Sequence, residues 1–501
     1  MFLFWALVPF ASLLVAAVAY DNSTRRNSPR EVHPASAASS ACDAILHALG
    51  SSVVQSSGSE YNATTQDTWN LFDTLDQPTC IVYPHTVSDF QVAMADNFRF
   101  GSHYAVQAGA HSAMVGYNSI TDGVLISFAN MTSTTYNSQT GTVTVQPGVR
   151  WGEAMAAIEH LGLSVLGGRA SDIGTGILLG GGISYIAPLY GWSADSIKEM
   201  DVVLVTGELV TATATNAYSD LFRALKGGAN RFVVVTRYEL FPIHTGTKEQ
   251  KNWFGGSILY PASSSIALLE ASARYVRENT DTKAGFIAIM NTIPSDVTTT
   301  VYLFYNGLSL PHSIFGEFLS IPNTSVSLSP LSYFDISNLV PGNARGNGQQ
   351  FGAASSEAFA ADLFTSDLVI SPIPRSQWKA TKTGANAIGD PGVAYAAINY
   401  HLVHNAGVTV QPPGIQAGFE LLLEQCVISF LPYFFHLASG VLIPPTHRAS
   451  SSPGLPLYIN ECDVSQNVFK TYPSFAVLQK TYAKYDPSRF NVEHTTGPIG
   501  L

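Results

Sequence analysis

The sequence predicts an α+β protein of two domains. Three observations carry this: a length of 501 residues, more than one ordinary core accommodates; short strand-like and helix-like segments interleaved along the chain; and a change of character near residue 245. Charged residues make up only 12% and hydrophobic residues 46%, a globular composition. The 25 Lys and Arg against 36 Asp and Glu give a net charge of −11 with no basic stripe, which argues against a nucleic-acid partner.

The N-terminal run Met1 to Ala19 is almost unbroken apolar sequence ending in Ala17-Val18-Ala19. A small-x-small ending after such a run predicts a secretory signal peptide over residues 1–19 rather than stable membrane insertion, an uncleaved anchor being the alternative. Residues 20–41 are polar, rich in Ser, Ala and Asn, and are expected to be disordered. Passage through the secretory pathway fits the glycosylation sequons at Asn22, Asn62, Asn130 and Asn323. In that oxidising compartment Cys42 and Cys80 are expected to bridge the N-terminal segment to the first strand. Cys426 and Cys462 either pair or stay as buried thiols.

The first domain, residues 42–245, alternates both periodicities. A helix is expected from near Cys42, with Ile45, Leu46 and Leu49 on one face, and a short strand at 81–83. Ser88-Asp89 is expected to cap a second helix through Phe90 and Val92. Strands are predicted at 104–107, 123–127 and 142–146, and a helix at 151–161 with Ala154, Ile158 and Leu161 in register. A hairpin turns at Thr206-Gly207-Glu208, a short helix covers 219–225, and a β-branched strand covers 232–240.

Over residues 246–455 strands are predicted at 258–260, 285–290 and 299–305. An amphipathic helix over 263–276 carries Ile266, Leu269, Ala273 and Val276. That pattern predicts an antiparallel sheet covered by helices. Residues 456–501 hold Tyr458-Ile459-Asn460, a helix over 474–485 and the run Asp486-Pro487-Ser488-Arg489-Phe490.

Two glycine-rich turns bear on function. The first is Val106-Gln107-Ala108-Gly109-Ala110-His111-Ser112. The second runs from Gly167-Gly168-Arg169-Ala170-Ser171-Asp172-Ile173-Gly174-Thr175-Gly176 to Gly180-Gly181-Gly182. Glycine permits close backbone approach and positive φ, which binding of a pyrophosphate by backbone N–H groups requires. No strand–GxGxxG–helix unit with a later acidic residue surrounds either turn, so this is not a Rossmann fingerprint.

With Pro147-Gly148-Val149-Arg150-Trp151-Gly152, Gly191-Trp192-Ser193-Ala194-Asp195, Lys226-Gly227-Gly228 and Val233-Val234-Val235-Thr236, these turns resemble the berberine-bridge-enzyme-like oxidoreductases, a branch of the vanillyl-alcohol-oxidase family. The match runs in the family's order over roughly three-fifths of the chain, and the C-terminal tail matches again. The resemblance implies a PCMH-type FAD-binding fold in which the substrate domain is an insertion and the tail returns to the FAD domain. It implies FAD contacts from Gly109, Ala110, His111 and Ser112, from Gly148, Gly168, Gly174, Gly176, Gly180, Gly181 and Gly182, and from Val235 and Asn460. His111 matches the residue that carries the flavin covalently. The family usually has glycine where Ala110 stands. Doubly linked members have cysteine where Ala170 stands, so a single linkage through His111 is implied.

On the substrate side the resemblance breaks down. The berberine bridge enzyme's catalytic glutamate has no counterpart ahead of Pro444, and the 411–443 segment fits the family poorly. The alternating run Tyr395 to His401 puts Tyr395 and His401 on one strand face, which makes both candidate bases; Tyr458 is a third, because the resemblance implies that the tyrosine-x-asparagine step lies near the flavin ring. The resemblance, with an apolar, aromatic-rich substrate half, implies a monomeric FAD-linked oxidase. It would take hydride from a hydrophobic small molecule, such as a secondary-metabolite intermediate, with O2 as electron acceptor. The alternatives are a secreted carbohydrate oxidase, a flavin-scaffolded isomerase or cyclase, and a secreted binding protein with a vestigial site.

Overall fold

A computed structural model of the chain describes residues 35–293, 296–340, 347, 349–351, 363–382, 384–404, 455–464 and 466–501. The signal-peptide segment, Asn22, Cys426, the 411–443 segment and the run at Pro444 lie outside the described residues.

The first sheet has four strands in the order Val54–Gln55, Cys80–Val82, Val124–Ser127, Tyr104–Gln107. Val124–Ser127 is parallel to both of its neighbours. Its four residues are all buried, as a continuous apolar run in a strand covered on both faces should be. The helix Val87–Phe100 connects two of these strands. It begins in a capping box in which the Thr86 side chain accepts from the Asp89 backbone N–H, and it ends at Gly101 in the left-handed region. The cap is thus Thr86, two residues ahead of the expected Ser88; Asp89 supplies the reciprocal half of the box.

The N-terminal helix spans Ala35–Leu49. Residues 35–41 are therefore helical, against the expectation of disorder through 41. Ala38 and Ala41 are buried, and the helix packs on Val87–Phe100. Small side chains that read as linker composition here permit close helix contact. Cys42 on this helix is disulfide-bonded to Cys80 on the central strand.

The second sheet is five-stranded and antiparallel, ordered Thr134–Asn137, Thr142–Val145, Val234–Leu240, Ile197–Val203, Leu209–Thr213. The expected hairpin is its last pair, with Val203 opposite Leu209.

The third sheet has seven strands: Ser325–Leu331, Trp253–Pro261, Asp296–Tyr305, Ala284–Ile293, Leu363–Ile373, Tyr395–His404 and Gln349–Phe351. Side-chain alternation divides its two faces. Phe286 and Leu303 join the core beneath the helices Ser265–Glu278 and His312–Ser320, with Leu268, Tyr275, Phe315 and Phe318. Ile287, Tyr302 and Phe304 face the other way, into the core of the second sheet. Tyr185 meets Phe304 edge-on there, centroids 4.6 Å apart, a contact worth about 0.5–1.5 kcal/mol beyond area burial. Among the described residues no helix is long and apolar enough to cross a membrane.

Candidate flavin site

The two glycine turns meet backbone to backbone. A Cβ on Gly109 would lie 2.5 Å from the Gly174 Cα, and one on Gly174 would lie 2.5 Å from the Gly109 Cα. Only glycine at both positions allows this approach. Ala110, next in the first turn, has φ 53°, which explains why glycine suits that position and means that alanine is held there in a strained conformation.

Beside this junction lies a cavity of about 230 Å³. Gly109, Ala110, His111, Ser112, Gly174, Gly176, Val235, Tyr458 and Asn460 line it, so both turns, the strand Val234–Leu240 and the C-terminal segment converge as the sequence suggested. Gly148, Gly168, Gly180, Gly181 and Gly182 lie outside this cavity's lining. Their Cα atoms are instead packed against Phe128 O, the Ile173 and Ile177 side chains, Asn460, Ile388 with Trp192, and Ser193, respectively. These glycines let elements approach one another closely.

The C-terminal segment is tied down by Asn460, whose Nδ2 donates to Ile177 O (3.0 Å) and to the Tyr458 hydroxyl (3.1 Å). The same hydroxyl accepts from the Ile183 backbone N–H at 3.2 Å. Burial pushes the Tyr458 phenol far up from its usual value, so Tyr458 is suited to bracing the segment and poorly suited to ionising. Cys462 is a buried thiol donating to Tyr458 O at 3.1 Å.

The other two candidate bases do not reach the cavity. Tyr395 is buried in the core, its ring 6.4 Å from Trp378, and burial raises its pKa. His401 does share its strand face, but its Nδ1 lies 3.2 Å from Asp367 Oδ2 and its ring stacks on Trp69. Trp69, 2% exposed, also stacks on His111, centroids 4.4 Å apart and planes 14° apart.

The carboxylate facing the cavity is Glu461. Arg169, also on the lining, donates to its Oε1 at 2.7 Å and to the Ser371 hydroxyl. Glu461 Oε2 is buried without a hydrogen-bond partner among the described residues, an arrangement that asks for a ligand atom. Burial pushes the Glu461 carboxyl up from the usual carboxylate range, against the opposing pull of Arg169 and His401. Sequence reasoning gave no role to Glu461, Arg169 or Trp69. The available clue was adjacency: an acid directly follows the tyrosine-x-asparagine step.

These features fit a flavin. The close-approach turns suit a pyrophosphate, His111 offers an imidazole at the cavity wall, and the orphaned Glu461 oxygen offers an acceptor for a proton.

Comparison with known proteins agrees. Residues 78–213 match the FAD binding domain family model. An uncharacterized FAD-linked oxidoreductase of Arthroderma benhamiae is 29% identical over 491 residues, 91% of this chain and 94% of that protein. An FAD-dependent monooxygenase of Arthrobotrys oligospora is 31% identical over 352 residues, covering 68% of this chain and 66% of its own length. The structure of berberine bridge enzyme from Eschscholzia californica superposes with a TM-score of 0.68 at 14% identity, over 92% of this chain and 99% of that one, a likeness of fold.

Proposed function

We propose that this FAD-dependent oxidoreductase, whose fold is like that of berberine bridge enzyme, is an oxidase of a neutral, hydrophobic small molecule, working through FAD linked covalently to His111 alone. The observation that carries this reading is Glu461 on the cavity wall that also bears His111: Arg169 holds its Oε1 and its Oε2 has no hydrogen-bond partner among the described residues.

FAD, when bound, would supply two-electron redox chemistry, with O2 as the final electron acceptor. Glu461 supplies the other half, accepting at Oε2 the proton released from the substrate's O–H or N–H as the neighbouring C–H gives up hydride. Arg169 holds Oε1, which fixes the orientation of the carboxylate. Asn460 and Tyr458 hold the Glu461 segment against the second turn. Among the described residues, Arg169 and Glu461 are the only Asp, Glu, Lys or Arg side chains on the lining, and they are paired with each other. That supports an uncharged substrate, of the kind met in secondary metabolism. Ala170, where doubly linked relatives carry cysteine, supports the single linkage.

A secreted monomer completes the reading. The apolar N-terminal run, the Cys42–Cys80 bridge and the exposed sequons at Asn62, Asn130 and Asn323 support entry into the secretory pathway and glycosylation.

The test begins with the absorption spectrum of purified protein and an anaerobic screen of phenolic, alcohol and amine compounds for flavin bleaching. H2O2 formed on admitting air, with no atom of labelled O2 incorporated into the product, supports the oxidase. Oxygen incorporated into the product would make it a monooxygenase, and product without bleaching an isomerase.

A further inference from the structure

We propose that Asp172 is a positioning residue that prepares His111 for its bond to the flavin; this rests on the reading of His111 as the attachment point. Asp172 Oδ2 lies 3.3 Å from His111 Nε2. The closeness is built into the backbone. His111 stands two residues after Gly109 and Asp172 two residues before Gly174, the two glycines whose α-carbons are pressed together. The segment around Asp172 is pinned on both sides, as Ile173 O accepts from Trp151 N at 2.9 Å and Ser171 O from Gly152 N at 2.8 Å. Stacking on Trp69 fixes the plane of the imidazole.

A neutral imidazole carries one proton on either of two nitrogens, and a carboxylate at one nitrogen decides which. The Asp172 carboxylate lies beside Nε2 without hydrogen-bond geometry in this structure; its negative charge favours the tautomer with the proton on Nε2 and the lone pair on Nδ1. Once the 8α methyl has lost a proton, addition of Nδ1 at that carbon forms the C–N bond, passes the electron pair into the flavin ring system and leaves positive charge on the imidazole, which the Asp172 carboxylate balances. The books close simply: the 8α methyl loses one hydrogen and the imidazole loses its N–H hydrogen. The two electrons left on the flavin, with those two protons, go to O2 as H2O2.

The test uses apoprotein mixed with FAD in air, following covalent flavin by in-gel fluorescence after acid denaturation and by peptide mass. Total bound FAD is measured in parallel on the native protein. Asp172→Asn and Asp172→Ser are expected to bind FAD to the wild-type level but to attach it on the order of 10–100-fold more slowly, and Asp172→Glu is expected to restore most of the rate. Wild-type attachment in either uncharged variant would overturn the proposal. So would equal losses in the Glu and Asn variants at unchanged FAD content, which would mark a shape requirement rather than a charge. A wild-type protein that holds FAD without any covalent bond overturns the His111 reading and this proposal with it.

Discussion

Arg169 and Glu461 lie 292 positions apart in the chain and meet at 2.7 Å on the wall of the flavin cavity. The arginine belongs to the second glycine turn and the glutamate to the C-terminal segment. The pair therefore welds the last part of the chain to the first domain at the point where chemistry is expected, and leaves one carboxylate oxygen for the substrate.

Glu461→Gln keeps the shape and removes the base. Anaerobic flavin reduction by a substrate found in the screen is expected to slow by about 10²–10⁴-fold. FAD content should not change. Stopped-flow absorbance measures the first and the native flavin spectrum the second.

The same residue sets a pH dependence. A base must be ionised, and burial raises the Glu461 pKa above the ordinary carboxylate value of about 4.3. Reduction should therefore be slow at low pH and rise as pH climbs through that raised pKa. The rise should be missing in Glu461→Gln. A wild-type profile in that variant would assign the titration to another group.

His111→Ala should release yellow colour to the supernatant on acid precipitation, where wild type keeps it in the pellet. Non-covalent FAD should persist, since the Gly109–Gly174 contact is untouched. Colour retained in the alanine pellet would point to a different attachment residue.

The Cys42–Cys80 bridge closes a loop of 38 residues, for which chain entropy gives a stabilisation of about 4 kcal/mol. Replacing both cysteines by serine should lower the denaturant midpoint of the secreted protein accordingly. An unchanged midpoint would mean that the helix docking alone orders this segment.

Lys226 and Asp195 form a pair with both side chains 0% exposed, Nζ 3.6 Å from Oδ1. Burial lowers the lysine pKa and raises that of the aspartate. Lys226→Met alone strands a buried carboxylate and should cost about 3–5 kcal/mol. Adding Asp195→Asn should recover part of the loss, a non-additivity that a double-mutant cycle reads directly.

Much of this was legible in the sequence wherever local physics and position agree. The strands around the first turn, the hairpin at Gly207 and the meeting of His111 with Gly174 and Asn460 follow from periodicity, turn chemistry and motif order. Ser325–Leu331 was missed because six of its seven side chains are not buried, so an edge strand of serines gives no alternating apolar pattern. Ala35 to Ala41 was misread because alanine and serine serve linkers and close-packed helices equally. Tyr395 failed as a base candidate for a different reason. Strand alternation assigned its face correctly, but that face extends past the cavity into the core, and one-dimensional periodicity holds no information on which end of a face a site occupies.

The cavity draws on turns near residues 110 and 175, a strand near 235 and a segment near 460. A chain leaving the ribosome exposes the first three long before the last. Its early sheets can assemble while the pocket still lacks Tyr458, Asn460 and Glu461. Retention of FAD is thus a marker that this segment has been made: chains truncated ahead of Tyr458 should emerge colourless, and yellow colour in a preparation reports that the segment has returned and locked.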